Sequence, residues 1–159
     1  SIKGLINLAQ REGINATPGY LQMMDRQIDK LDSFIGEIID YSKNARMDIN
    51  PEPIDIESTV REVTSNLRYM EGADKIAFQY NIDFSEQPVT DKARLQVILS
   101  NLISNSIKYH NLDQSQPYVS VSAQRSNGHW ILSVSDNGKG IPSEHKHKVF
   151  EMFFRADER

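Results

Sequence analysis

The sequence predicts an α+β protein: a helical hairpin, half of a dimeric four-helix bundle, followed by a two-layer α/β sandwich. Three observations predict it. Apolar residues Met24, Ile28, Leu31, Ile35 and Ile38 step by 4, 3, 4 and 3, the seam of a helical bundle. Asn50-Pro51-Glu52-Pro53 then interrupts the periodicity as a stiff linker, so the hairpin takes residues 1–50 and a second domain residues 51–159. Beyond the linker, strand-like alternation and helical stripes follow one another, the pattern of a sheet with helices on one side.

The elements follow in order. Ile2, Leu5, Ile6, Leu8 and Ala9 make a short helical stripe that fades at Gly13, and Asn15-Ala16-Thr17-Pro18-Gly19 reads as a turn. The seam helix spans about 20–43, with Asp25, Arg26, Asp29, Lys30, Asp32 and Glu37 keeping its other surface polar. Such a hairpin cannot bury both seams alone: a second copy would complete the bundle, and packing on the chain's own downstream domain is the alternative. Ile54 and Ile56 suggest a brief strand before a helix carrying Val60, Val63, Leu67 and Met70. Ile76, Phe78, Tyr80 and Ile82 alternate as a half-buried strand. Leu95, Ile98, Leu99, Leu102 and Ile103 mark one amphipathic helix over 91–109. Val119, Val121 and Ala123 alternate again, Asn127-Gly128 is a hairpin turn, and residues 129–135 return. Pro142 and Ser143 open a last helix expected to end near Phe153.

Composition narrows the function. A formal net charge of -4 gives no basic bias, so nothing asks for nucleic acid. The absence of cysteine excludes a disulfide framework and thiol catalysis. No apolar run approaches about 18 residues, so no membrane contact is expected of this stretch. It starts in mid-pattern with Ser1-Ile2-Lys3-Gly4, which reads as a piece of a longer protein.

On the 91–109 helix, Asn101, Asn105 and Lys108 fall within a stripe roughly 60° wide, away from the apolar face. Amide oxygens suit a hard cation such as Mg²⁺, and an ammonium suits the phosphates that come with it. A solvated helix face accounts for the same residues. After the return strand stands Asp136-Asn137-Gly138-Lys139-Gly140-Ile141-Pro142. Its carboxylate can accept from an exocyclic amine such as that of adenine, and its glycines let backbone approach a ligand closely. An ordinary Asn-Gly turn is the alternative.

The order of these pieces is more specific than any one of them. An Asn-x-x-x-Asn-x-x-Lys-Tyr helix, a hairpin, an Asp-x-Gly-x-Gly-Ile loop and Phe150-Glu151-Met152-Phe153-Phe154-Arg155 together resemble the catalytic ATP-binding domain of sensor histidine kinases. They match its N box, first glycine box and F box, on the fold shared with gyrase-type ATPases. The preceding hairpin resembles that family's dimerisation and phosphoacceptor region. The resemblance implies ATP and Mg²⁺ as cofactors, with Asn105 the metal ligand, Asn101 beside it and Lys108 on a phosphate. Tyr109 would lie along the purine or ribose, and Asp136 would accept from the adenine amine. Gly138 and Gly140 would shape the base pocket and one end of a lid. Phe153 and Phe154 would anchor that lid, with Arg155 near the terminal phosphate. It implies a homodimer through the hairpin, a response-regulator receiver domain as partner, and a cytoplasmic location compatible with a membrane-anchored parent.

The implied reaction is transfer of the ATP γ-phosphoryl group to a histidine, and onward to a response-regulator aspartate. Asn101 bears on the alternatives, because the gyrase and mismatch-repair ATPases carry a glutamate there to activate water, and an amide cannot take that proton. A hydrolysing ATPase and a non-enzymatic ATP-binding dimerisation module remain the rival readings. Two pieces of the pattern are missing. The family's phosphoaccepting histidine would precede Ser1, so no catalytic residue of that kind and no self-phosphorylation are expected here. The second glycine box would follow Arg159, so the domain reads as truncated. His145 and His147, interleaved with Lys146 and Lys148, are two apart on a presumed helix, where side chains diverge, and a solvated face explains them best.

Overall fold

The structure, a computed structural model, describes residues 2–12, 17–46, 48–82, 86–111, 113–151 and 154. It divides into two compact units, Ser1–Asp48 and Ile49–Arg159.

In the first unit, α1 (Ile2–Glu12) packs on α2 (Thr17–Arg46). The expected turn at Thr17, Pro18 and Gly19 is instead the first turn of α2; Asn15 and Ala16 lie outside the described residues. Proline is tolerated there because the first helical N–H groups have no intrahelical acceptor. At about 1.5 Å per residue, α1 is too short to cover α2. Accordingly Ile28, Leu31, Ile35 and Ile38 lie exposed along α2, while Met24 is half-buried.

The second unit is built on α3 (Ile56–Leu67), α4 (Lys92–Lys108) and a sheet of β2 (Ala77–Ile82), β4 (Tyr118–Ser126) and β5 (His129–Asp136). Strand order is β2-β4-β5, parallel and then antiparallel. The parallel pair needs a long crossover, and α4 supplies it. Asn127 (φ 51) and Gly128 (φ 79) take the left-handed conformations of a two-residue hairpin loop, which sets the β4–β5 register.

Both helices lie on one face of this sheet. Val60, Val63 and Leu67 of α3 and Leu99, Ile103 and Ile107 of α4 meet Val119, Val121 and Ala123 of β4. The opposite face carries Gln79, Ser120, Ser122, Ser133 and Ser135 beside Tyr118 and Ile131, so that face of the sheet is mostly polar. Buried Thr59 and Thr64 each return their hydroxyl to the carbonyl four residues back, at 2.8 and 2.7 Å.

Three expectations need correction. Ile54 and Ile56 form no strand. The short β1 (Glu52–Pro53) precedes them and pairs with β3 (Val89–Thr90), while Asp55 caps α3 by accepting from the Ser58 amide at 3.0 Å. On α4 the buried row is Leu99, Ile103 and Ile107, whereas Ile98 (53% exposed) and Leu102 (44%) lie outside it. The expected last helix is a 3₁₀ turn, Ser143–His145, continued by further turns. Its bonds run from residue i+3 to i, as in Lys148 to His145 (2.9 Å) and Glu151 to Lys148 (2.8 Å). Short helices draw stability from a packed apolar face. Here Phe150 is 96% exposed and provides none.

Among the described residues, no helix is long and apolar enough to cross a membrane.

Candidate functional site

The C-terminal end of α4 and the loop after β5 are joined. Asp91 starts α4 as its N-cap, accepting from the Arg94 amide at 3.0 Å and from the Asn50 amide, also at 3.0 Å. Those two backbone donors, above all Arg94, hold its carboxyl below the ordinary value. From that fixed start, Asn101, Asn105 and Lys108 stand exposed on the outer face of α4. Among the described residues, neither side-chain amide nor the Lys108 ammonium is taken up in a hydrogen bond or ion pair. The Lys108 ammonium lies 5.1 Å from the centre of the Tyr109 ring.

Tyr109 ends the helix, and its carbonyl accepts the Lys139 amide at 3.2 Å. Between these partners sits Gly138. A Cβ there would stand 2.9 Å from Asp136 Oδ1 and 3.1 Å from the Tyr109 carbonyl oxygen, so the approach requires glycine. Gly140 is exposed at φ +70 with open space around it, so its requirement is conformational. Asp136 lies at the end of β5 on the core side, paired in register with Val119. Its Oδ1 accepts the Gly138 amide at 2.8 Å and its Oδ2 accepts the Ser106 hydroxyl at 2.9 Å.

Thus the helix that carries Asn101, Asn105 and Lys108 is joined to the loop of Asp136 and Gly138 through Ser106 and Tyr109. Phe154 is half-buried, 5.4 Å from the His145 ring. Phe153 and Arg155 lie outside the described residues. His145 and His147 belong to no metal-holding group of three or more His, Cys, Asp or Glu among the described residues.

Four residues escaped the sequence reading: Ser106, His110, Gln114 and Asn137. The Asn137 side chain accepts from the Tyr118 amide at 2.9 Å and donates to the Gln116 carbonyl at 3.1 Å, clamping the entry to β4. Ser106 carried a usable signal, a polar residue interrupting the apolar row between Ile103 and Ile107. Gln114 carried none.

Residues 90–159 match the family described as histidine kinase-, DNA gyrase B- and HSP90-like ATPase. The sensor-like histidine kinase SenX3 of Mycolicibacterium smegmatis is 26% identical over 152 residues, 94% of this chain and 39% of its own length. The chain thus spans about two fifths of that relative. Histidine kinase ThkA, solved in complex with the response regulator TrrA, has a similar fold: TM-score 0.71, 22% identity, over 97% of this chain and 46% of that one. Full-length ShkA, solved in complex with AMPPNP, is similar in fold at TM-score 0.68 and 22% identity, over 89% of this chain and 30% of that one. Residues 90–159, which include the Asn-Asn-Lys helix and the Asp136 loop, thus match that ATPase family, and the chain is similar in sequence and in fold to sensor histidine kinases.

Proposed function

We propose that this chain is the ATP-binding catalytic part of a sensor histidine kinase, whose whole protein transfers the ATP γ-phosphoryl group to a histidine and from there to a response-regulator aspartate. The observation that supports this reading is the closure of Tyr109 at the end of α4 onto Lys139 and Gly138, with Asp136 bonded to Ser106 of the same helix. Asp136 accepts from the adenine amine. Tyr109 lies along the purine or ribose, and Lys108 meets a phosphate.

The residues present fit Mg²⁺: the exposed Asn105 amide offers a hard oxygen, with Asn101 four residues before it. When bound, the metal neutralises charge on the phosphates. The chain's own residues position the nucleotide and supply the Lys108 charge. Phe153, Phe154 and Arg155 belong to the lid side of the site.

The hairpin of residues 1–50 serves as the dimerisation region, and residues 51–159 as the catalytic domain. The exposed Ile28, Leu31, Ile35 and Ile38 support a second copy as the partner. The fold likeness to ThkA, solved with TrrA, supports a receiver domain as the second partner. A cytoplasmic location fits both.

A rival has its own support, since the matching family also includes gyrase B-like and HSP90-like ATPases. One experiment separates the two: incubation with γ-labelled Mg²⁺-ATP, with and without a separate phosphoacceptor hairpin. The kinase reading expects acid-labile, base-stable label on the hairpin. Phosphate release that ignores the hairpin would establish the hydrolysing ATPase instead.

A further inference from the structure

Two groups that the proposed nucleotide contacts leave unused brace Asp136 and the residue beside it. The first is Ser106, 8% exposed on the inner side of α4. A serine within a helix commonly returns its hydroxyl to the carbonyl one turn back. Ser106 instead donates across to Asp136 Oδ2 at 2.9 Å, thirty residues away in sequence. Since Oδ1 takes the Gly138 amide at 2.8 Å, each carboxylate oxygen is held by a donor from a different element. Turning the carboxylate would strain both bonds.

The second is a strut from the end of α4. His110 is 6% exposed, and its Nδ1 lies 3.3 Å from the Ser106 carbonyl oxygen. That oxygen can only accept, so the neutral ring carries its proton on Nδ1 and offers Nε2 as an acceptor. Gln114 fills that acceptor with its Nε2 at 3.0 Å and donates its other amide hydrogen to the Asn137 carbonyl at 2.7 Å. The bonds run Asp136–Ser106–His110–Gln114–Asn137, returning to the residue beside Asp136. Ser106 and His110 are buried, Gln114 and Asn137 half-buried and Asp136 exposed, so the paired ring is anchored at its inner side and holds the loop from there.

We infer that Ser106 and the His110–Gln114 pair are positioning residues that fix the Asp136 carboxylate and so set a preference for a 6-amino over a 6-keto purine. The inference rests on the proposed adenine contact of Asp136. A fixed carboxylate aims lone pairs at the base edge, and both neighbouring donors are already engaged. A 6-keto oxygen therefore arrives opposite an acceptor with no donor to meet it. Without Ser106 the carboxylate turns aside and the penalty against the keto base relaxes.

The test compares ADP with inosine diphosphate by calorimetric titration in Mg²⁺, for the unaltered chain and for Ser106→Ala, Ser106→Thr, Gln114→Met and Asp136→Asn. Ser106→Ala should lower the ADP preference about tenfold, the equivalent of one hydrogen bond to a charged group. Ser106→Thr, which keeps the hydroxyl, should restore it, and Gln114→Met should lower it by less. Amide exchange at Gly138, measured without nucleotide, should quicken in Ser106→Ala and Gln114→Met, while Ser106→Ala still unfolds in a single cooperative transition. Unchanged preference and unchanged Gly138 exchange in Ser106→Ala, beside a lost preference in Asp136→Asn, would overturn the inference. A preference that survives Asp136→Asn instead removes the adenine reading. Exchange at Gly138 then decides by itself whether Ser106 and Gln114 hold the loop.

Discussion

The Gly138 amide donates to Asp136 Oδ1 at 2.8 Å, and a Cβ on Gly138 would stand 2.9 Å from that same oxygen. The bond and the space for it therefore depend on one missing methyl group. Gly138→Ala must displace either the carboxylate or the Tyr109 backbone, whose oxygen lies 3.1 Å from the added carbon. A loss of about 1–3 kcal/mol in stability is expected, with weaker nucleotide binding. Gly140→Ala meets open space and bears only the strain of φ +70, about 1–2 kcal/mol. Urea denaturation of both variants, read beside ADP titrations, checks the difference in binding.

Replacing Asn105 by Ala should weaken Mg²⁺-dependent nucleotide binding and leave the fold intact. Asn105 is exposed in mid-helix, where alanine is the better helix former. Calorimetry with and without Mg²⁺ reads this directly. Equal Mg²⁺-dependent affinities would mean that the metal is held elsewhere.

ADP should outcompete GDP at the site, because the guanine keto oxygen would face the Asp136 carboxylate and leave an acceptor pair unsatisfied. Competition against a fluorescent adenine nucleotide measures the ratio. A ratio near one would remove Asp136 from base recognition.

Asp91 should make the second unit acid-sensitive. Its folded pKa lies below the unfolded value of 3.8, through the Arg94 and Asn50 amides. Its contribution is therefore fully present above the unfolded value and is lost as pH falls through the folded one. Asp91→Asn should flatten the stability profile in that acid range, measured by denaturation at successive pH values. A profile as steep as that of the unaltered chain would shift the acid sensitivity to other carboxylates.

A charge at Leu31 should dissociate the proposed hairpin dimer, since an unpaired charge in a bundle core is costly. Leu31 is 53% exposed in the single chain, so Leu31→Lys should leave the monomer folded. Sedimentation at several concentrations reports both states. A chain that sediments as a monomer throughout would leave the exposed seam without this partner.

Much of this was legible in the sequence because periodicity encodes burial. The alternation of Phe78, Tyr80 and Ile82, and of Val119, Val121 and Ala123, corresponds to the core faces of β2 and β4. Asn127-Gly128 fixed its hairpin through a local φ requirement. The misreadings came where tertiary context decides. Pro18 and Gly19 look like breakers, yet fit a first helical turn. Ile98 and Leu102 differ from their buried neighbours by a single 100° step. The residues proposed for the site form an ordered motif in the sequence, whereas Ser106, His110 and Gln114 belong to none. Gln114 acts through an amide reaching Asn137, 23 residues on, and no local pattern announces such a contact.

The measurement that bears most directly on the nucleotide site is backbone amide shift mapping with Mg²⁺-AMPPNP. The expected outcome is that the largest changes fall on residues 101–110 and 136–140 and diminish in Asn105→Ala. Changes centred on the hollow lined by Ile54, Glu57, Glu86 and Pro88, or none at roughly millimolar nucleotide, would contradict a nucleotide site between α4 and the Asp136 loop.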